Sequence, residues 1–265
     1  MSLLLVEQRG HVAIVTMNRP EARNPLGAEG DGDEFMEVMG GFNADQNVRC
    51  VVLTGAGPAF SAGGNVKDMK ERTGTFAQTP VEIRERYRRN IHRIGKALQG
   101  LDIPSIAAVN GPAVGLGCDV ACMTDMRIAS DKARFGVTFL RLGLVPGDGG
   151  AWLLPRVIGM ARASELLYTA NLIDAATAAE WGLVNRVVPH DGLMDEAMAL
   201  ANRIAEQPPH ALRMSKALMK HGQSTSYETL LEMSAAAQAI AHMTEDHAEG
   251  VNALLEKRTP VFKGA

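Results

Sequence analysis

Apolar and polar positions along the chain predict a first set of elements. Residues 2–7 and 12–18 are apolar-rich and flank Arg9-Gly10, the signature of a β-hairpin. Residues 50–54 (CVVLT), Ser105–Val109 (SIAAV) and 126–129 are short, nearly continuous apolar runs, as in strands buried on both faces. Helical stretches separate them, so the pattern predicts an α/β architecture.

Helices follow from caps and from spacing. The stretch 24–49 is rich in glycine and predicts only a short helix over 33–39. Residues 67–78 carry no strong periodicity and read as a mobile loop. A clear helix begins at Thr79-Pro80, where Thr79 and Glu82 have capping-box spacing and Pro80 takes the first helical position. Ile83, Tyr87, Ile91, Ile94, Leu98 and Leu101 then form one apolar stripe. Arg84, Arg86, Arg88, Arg89, Arg93 and Lys96 make the rest of this helix basic. That run is either a solvated face or a surface some of whose arginines meet an anionic ligand or a neighbouring subunit. From Trp152 onward the chain reads as almost entirely helical, with segments at 175–181, 193–206, 210–220, Tyr227–His242 and Glu245–Glu256. The expected division is a core over 1–195 and a helical oligomerisation region over 196–265.

Composition narrows the class. The 265 residues are 46% hydrophobic and 22% charged with a net charge of −3, a soluble globular profile without a global field for nucleic acid or anionic lipid. A chain of this length buries roughly 70–75% of its unfolded surface and needs no disulfides or metal to fold. Cys50, Cys118 and Cys122 form no CxxC pair, which points to a reducing, cytoplasmic setting. The first residues lack the basic leader and cleavage site of a signal peptide, and no apolar run reaches membrane-spanning length.

Several motifs fail on inspection. GAGPAF at 55–60 has Phe60 where a dinucleotide-binding loop needs its third glycine. There is no GKS/GKT loop and no HExxH pair; His242 and His247, five apart, share no helix face. AFSAG around Ser61 lacks the first glycine of a nucleophile elbow. Two glycine-rich turns remain, TGAGPAFSAGGN at 54–65 and NGPAVGLGCD at 110–119, each directly after a buried strand. Such turns leave amide N–H groups outside any ladder, and two of them can converge on one oxygen as an oxyanion hole. A helix starting near Leu116 leaves that N–H as a free first-turn donor with Asp119 on the same face. Asp119 is then either a base beside the hole or a favourable acid in a first helical turn. A third turn, LGLVPGDGGAW at 142–152, offers Asp148 as a helix cap or as a second carboxylate facing the first.

At these residues the chain resembles the crotonase (enoyl-CoA hydratase/isomerase) family. The resemblance runs nearly end to end, through NRPEARN (18–24), VVLTGAGPAFSAGGNVKDM (51–69), PSIAAVNGPAVGLGCDVACMTDMRIAS (104–130), ARFGVTFLRLGLVPGDGGAWLLPRVIG (133–159), EWGLVNRVV (180–188) and EKRTPVFKG (256–264). It implies a spiral of ββα units with a helical C-terminal region, assembled as a homotrimer or a dimer of trimers. It also implies an acyl-CoA thioester as substrate, with coenzyme A part of that substrate, no separate cofactor, no metal, and neither nucleic acid nor membrane as partner. Carried over by position, the oxyanion donors are the N–H groups of Gly64 and Leu116. Contacts to the nucleotide and pantetheine involve Ala22, Arg23, Ala62, Asn65 and Val66. Phe262 and Lys263 match a tail that reaches the nucleotide, sometimes from a neighbouring subunit.

The departures from the family pattern bear on the reaction. Hydratases of the family place glutamates at the positions of Asp119 and Phe139, and Phe139 can neither bind water nor move a proton. Some isomerases place an acid at the position of Gly147, one residue before Asp148, and Asp119 matches the acid of certain dienoyl-CoA isomerases. The resemblance therefore implies proton transfer by Asp119 or Asp148 next to a thioester, in isomerisation or hydration. Hydrolysis or retro-Claisen cleavage of a keto-acyl-CoA, and acyl-CoA binding without chemistry, are the alternatives.

Overall fold

A computed structural model of the chain describes residues 2–76 and 79–265. The chain opens with strands β1 (Leu4–Arg9), β2 (Val12–Met17) and the short β3 (Pro25–Leu26), then helix α1 (Asp31–Ala44) and strand β4 (Cys50–Gly55). β5 (Gly63–Gly64), α2 (Val66–Glu71), α3 (Pro80–Arg86) and α4 (His92–Gln99) lead to β6 (Ser105–Val109) and β7 (Ala113–Val114). Next come α5 (Leu116–Met123), β8 (Met126–Ser130), β9 (Arg134–Gly136), α6 (Gly150–Ile158) and α7 (Met160–Thr169). β10 (Ile173–Asp174), α8 (Ala175–Glu180) and β11 (Arg186–Val188) precede the C-terminal helices α9 (Leu193–Ala205), α10 (Pro209–His221), α11 (Tyr227–His242) and α12 (Glu245–Glu256).

Six strands form the main sheet in the order β1-β2-β4-β6-β8-β11. The β1–β2 hairpin is antiparallel and the remaining pairs are parallel. Alternate residues of each central strand serve opposite faces. Val12, Cys50, Val52, Ile106, Ala108 and Ile128 pack against Leu193, Ala197, Ala201 and Ala205 of α9. Ala13, Val15, Val51, Leu53, Ala107 and Val109 face the larger core that α1, α4 and α5 cover. The expected division at 195/196 thus falls inside α9, a helix whose buried stripe lies on the sheet. The parallel strands β4 and β6 both run into glycine-rich turns at the same edge, where parallel sheets place ligands. No helix among the described residues is long and apolar enough to cross a membrane.

Two expectations need correction. α1 spans 31–44 rather than 33–39, because Phe35, Met39 and Phe42 bury one stripe and that packing outweighs the helix cost of its glycines. Gly32 also serves a close crossing, since an added Cβ would lie 2.3 Å from the Asn90 carbonyl oxygen. The stretch 67–78 is not an irregular loop up to Phe76. Asn65 accepts from the Lys67 N–H at 3.0 Å and caps α2, and a 3-10 turn covers Gly74–Phe76; residues 77 and 78 lie outside the described residues. His242 and His247 share no helix face, as expected, since one ends α11 and the other lies in α12, but the turn between the helices brings Nδ1 of the first to 3.0 Å from Nε2 of the second. The helix expected from Thr79 carries its capping box, and it is interrupted by a π turn over Tyr87–Ile91 before it continues as α4.

Candidate active site

The two glycine-rich turns are laced together by backbone. Ser61 N–H donates to the Pro112 carbonyl at 3.1 Å, and Val114 N–H donates to the Ser61 carbonyl at 3.0 Å. The buried Ser61 hydroxyl donates to the Asn24 carbonyl at 2.7 Å and accepts from Gly63 N–H at 3.1 Å. Asn110 bridges the same turns, accepting from Gly55 N–H and donating to the Gly57 carbonyl. Gly63, at φ +81°, must be glycine twice over, because a Cβ there would meet the Val114 oxygen at 2.5 Å and the Leu116 nitrogen at 3.2 Å. Leu116 is the first residue of α5, behind Gly115 at φ +55°, so its N–H has no intrahelical acceptor. Gly64 and Leu116 line one cavity of about 70 Å³.

Asp148 lines that same cavity. It is 8% exposed, and burial pushes its carboxyl up to about 6. Asp119 does not line it. It sits in the first turn of α5, 1% exposed, beneath the first residue of α6. A Cβ on Gly150 would lie 2.2 Å from Asp119 Oδ1, so α6 begins over this carboxylate only because residue 150 has no side chain. Burial first, and then the nearby charge of Asp148 and the Cys122 thiol, hold Asp119 well above the usual carboxylate range. The Gly150 N–H opposes that shift, and Asp119 Oδ2 has no hydrogen-bond partner among the described residues. At about 6, Asp148 is largely ionised at neutral pH, while Asp119 holds its proton to higher pH than an ordinary carboxyl does. The structure brings Gly64, Leu116 and Asp148 to one space and leaves Asp119 one layer behind.

The remaining walls are mainly apolar. Phe139 lines the cavity with its ring against Gly115, and Val66, Met69, Phe76, Ile91, Leu142 and Leu144 line it too, with Thr138 among them. Two residues in this region were not singled out by sequence. Tyr87 reads as one member of an Ile/Leu stripe, yet it lines the cavity, and burial with the charge of Asp148 pushes its hydroxyl up to about 12. His92 follows the π turn and places Nε2 2.9 Å from the Gly147 carbonyl, tying the helix to the loop that carries Asp148. A hydroxyl inside an otherwise aliphatic stripe was the available signal for Tyr87. The π turn that aims His92 left no mark in the spacing.

The other candidate residues divide into two groups. Ala62 lines the cavity, and its N–H donates to the Arg23 carbonyl at 2.8 Å; Arg23 itself follows Ala22 at φ +61°. Asn65 and Val66 form the start of α2 beside them. Phe262 and Lys263 lie elsewhere. Arg49 donates to the Phe262 carbonyl, Lys263 N–H donates to Asp246, and the Phe262 ring lies over Gly250 of α12.

Comparison with known proteins decides the family. A family model described as enoyl-CoA hydratase/isomerase matches residues 7–265. The chain belongs to the enoyl-CoA hydratase/isomerase family. It is 38% identical over 256 residues to a short-chain-enoyl-CoA hydratase of Clostridium acetobutylicum, covering 96% of this chain and 95% of that protein. It is 36% identical to a 1,2-epoxyphenylacetyl-CoA isomerase of Escherichia coli, covering 100% of this chain and 99% of that one. An enoyl-CoA hydratase structure from Bacillus anthracis superposes with a TM-score of 0.92 at 35% identity over the whole of both chains. The hydratase/isomerase family has the crotonase fold, as the sequence motifs implied, and this member is an acyl-CoA enzyme. Its relatives include both hydratases and an isomerase.

Proposed function

We propose that the protein isomerises the double bond of an enoyl-CoA through a thioester enolate, with Asp148 as the proton-shuttling base. The observation that carries this reading is that Asp148 shares one small cavity with Gly64 and Leu116, and that Phe139 lines the same cavity in place of a second acid. The thioester oxygen accepts from the Gly64 and Leu116 N–H groups. Ionised Asp148 removes a proton from C2 of a 3-enoyl-CoA, and the electron pair moves through the thioester to its oxygen. The same carboxyl then returns its proton to C4, which leaves the conjugated 2-enoyl-CoA. One acid suffices, and no water has to be held where Phe139 stands. Coenzyme A enters and leaves as part of the substrate.

The test is a mass measurement on 3-enoyl- and 2-enoyl-CoA incubated with the protein in heavy water. The expected result is deuterium uptake without addition of water, and a loss of about 10²–10⁴-fold in turnover for Asp148→Asn. Addition of a full heavy-water mass, or an Asp148→Asn variant with full turnover, overturns it. The assembly proposed alongside is a homotrimer or a dimer of trimers. α11 buries no side chain within its own chain, and the tail carrying Phe262 and Lys263 is fixed away from the cavity of its own chain, which supports a contribution to a neighbour's nucleotide contacts.

A further inference from the structure

The basic run on the helix over Pro80–Gln99 is not uniformly solvated. Arg86 donates to the Gly74 carbonyl, and Arg93 pairs with Asp33 at 2.8 Å. Arg84 and Arg88 each place Nη1 3.0 Å from the same Glu85 oxygen, and Arg89 reaches its other oxygen only at 3.9 Å. One carboxylate thus faces three guanidinium groups, and positive charge is left over. Arg84 and Arg88 border a cleft of about 460 Å³ that they share with Tyr87, His92, Leu144 and Val145, without an acidic side chain among the lining residues.

Position gives this cleft its meaning. Tyr87 and Leu144 line both the cleft and the 70 Å³ cavity that holds Gly64, Leu116 and Asp148. The cavity is a small fraction of the roughly 300–1,000 Å³ of a usual ligand pocket. A short acyl segment fills it, and the next atoms of a longer chain pass Tyr87 and enter the cleft. A plain alkyl tail there strips water from arginines and gives nothing in return. A carboxylate accepts charge-assisted hydrogen bonds from the same groups.

We propose that this cleft receives the far end of the acyl chain and selects chains that end in a carboxylate, so that the substrate class is the CoA thioester of an unsaturated dicarboxylic acid. The inference rests on the acyl-CoA site proposed above, and its test does not depend on the chemistry at Asp148. Binding of two unreactive six-carbon probes, adipyl-CoA and hexanoyl-CoA, is measured by calorimetry on the full-length protein at low and high salt. Adipyl-CoA is expected to bind about tenfold more tightly at low salt, the size of one charge-assisted contact. The preference should shrink as salt screens the arginines. Arg84→Gln/Arg88→Gln is expected to bring the two probes level. Both arginines are exposed, so the double variant keeps the fold, checked by its unfolding midpoint. Equal affinities in the unaltered protein, tighter hexanoyl-CoA, or a preference that survives Arg84→Gln/Arg88→Gln each overturn the proposal. So does a double variant that changes the oligomeric mass and leaves the preference intact, which would assign these arginines to a neighbouring subunit. Loss of turnover in Asp148→Asn with the adipyl-CoA preference retained separates this inference from the catalytic one.

Discussion

Asp148 is held in a place that penalises its charge, and this couples the chemistry to stability. Its carboxyl titrates at about 6 in the folded protein, against about 3.9 for an unfolded aspartate. The folded state therefore binds this proton more tightly than the unfolded state. The advantage is fully present below about pH 4, is lost as pH rises through 6, and stays lost above. Two units correspond to at most about 3 kcal/mol. Asp148→Asn keeps the shape and removes the charge, so it should raise the thermal midpoint by several degrees at pH 8, with the gap closing toward pH 4. The same substitution should lower turnover by about 10²–10⁴-fold. A variant that is no more stable at pH 8 than the parent would show that burial does not penalise this carboxylate. For the unaltered enzyme, kcat/KM should fall as pH drops below 6, because the base is then protonated.

At the scale of elements, the site depends on two turns approaching more closely than side chains permit. Gly117 is one such case, since a Cβ there would lie 2.3 Å from the Ser61 carbonyl oxygen, which is backbone and cannot swing away. Gly117→Ala should cost about 1–3 kcal/mol, read as a lower urea midpoint, and should weaken acyl-CoA binding by spreading the Gly64 and Leu116 amides. A midpoint equal to the parent's would mean that the turns have slack. Elements governed by local signals were legible in the sequence. The Tyr227–His242 and Glu245–Glu256 helices coincide with their Ser226 and Thr244 caps, and Thr79 and Glu82 close the box their spacing promised. Elements governed by distant contacts were not. α1 runs through glycines because of buried Phe35, Met39 and Phe42, and α2 exists on the strength of one Asn65 cap. For the same reason the spacing left Asp119 and Asp148 equivalent. Their difference arises where α6 starts at Gly150 and seals one carboxylate beneath it, a contact between residues 31 positions apart.

At the scale of the molecule, the proposed trimer would be built through the C-terminal helices. α11 buries none of its sixteen residues, yet its Leu231 and Ile240, and Met243 just past its end, are apolar and exposed, the last at 86%. Leu254 and Leu255 of α12 are also exposed, at 79% and 76%. Apolar side chains gathered this densely on two adjoining helices support the proposed assembly, in which another chain would cover them. A chain of 28.3 kDa should therefore give a mass near three or six copies in light scattering. Met243→Glu/Leu255→Glu introduces charge where nothing in the same chain is packed, so it should lower the mass to one copy while the sheet and α9 stay folded. Acyl-CoA affinity should fall with it if Phe262 and Lys263 serve a neighbouring subunit, because the cavity would then lack that tail. A parent protein that is monomeric at working concentration sinks the interface. A dissociated variant with undiminished affinity leaves the interface standing and removes the tail from the site.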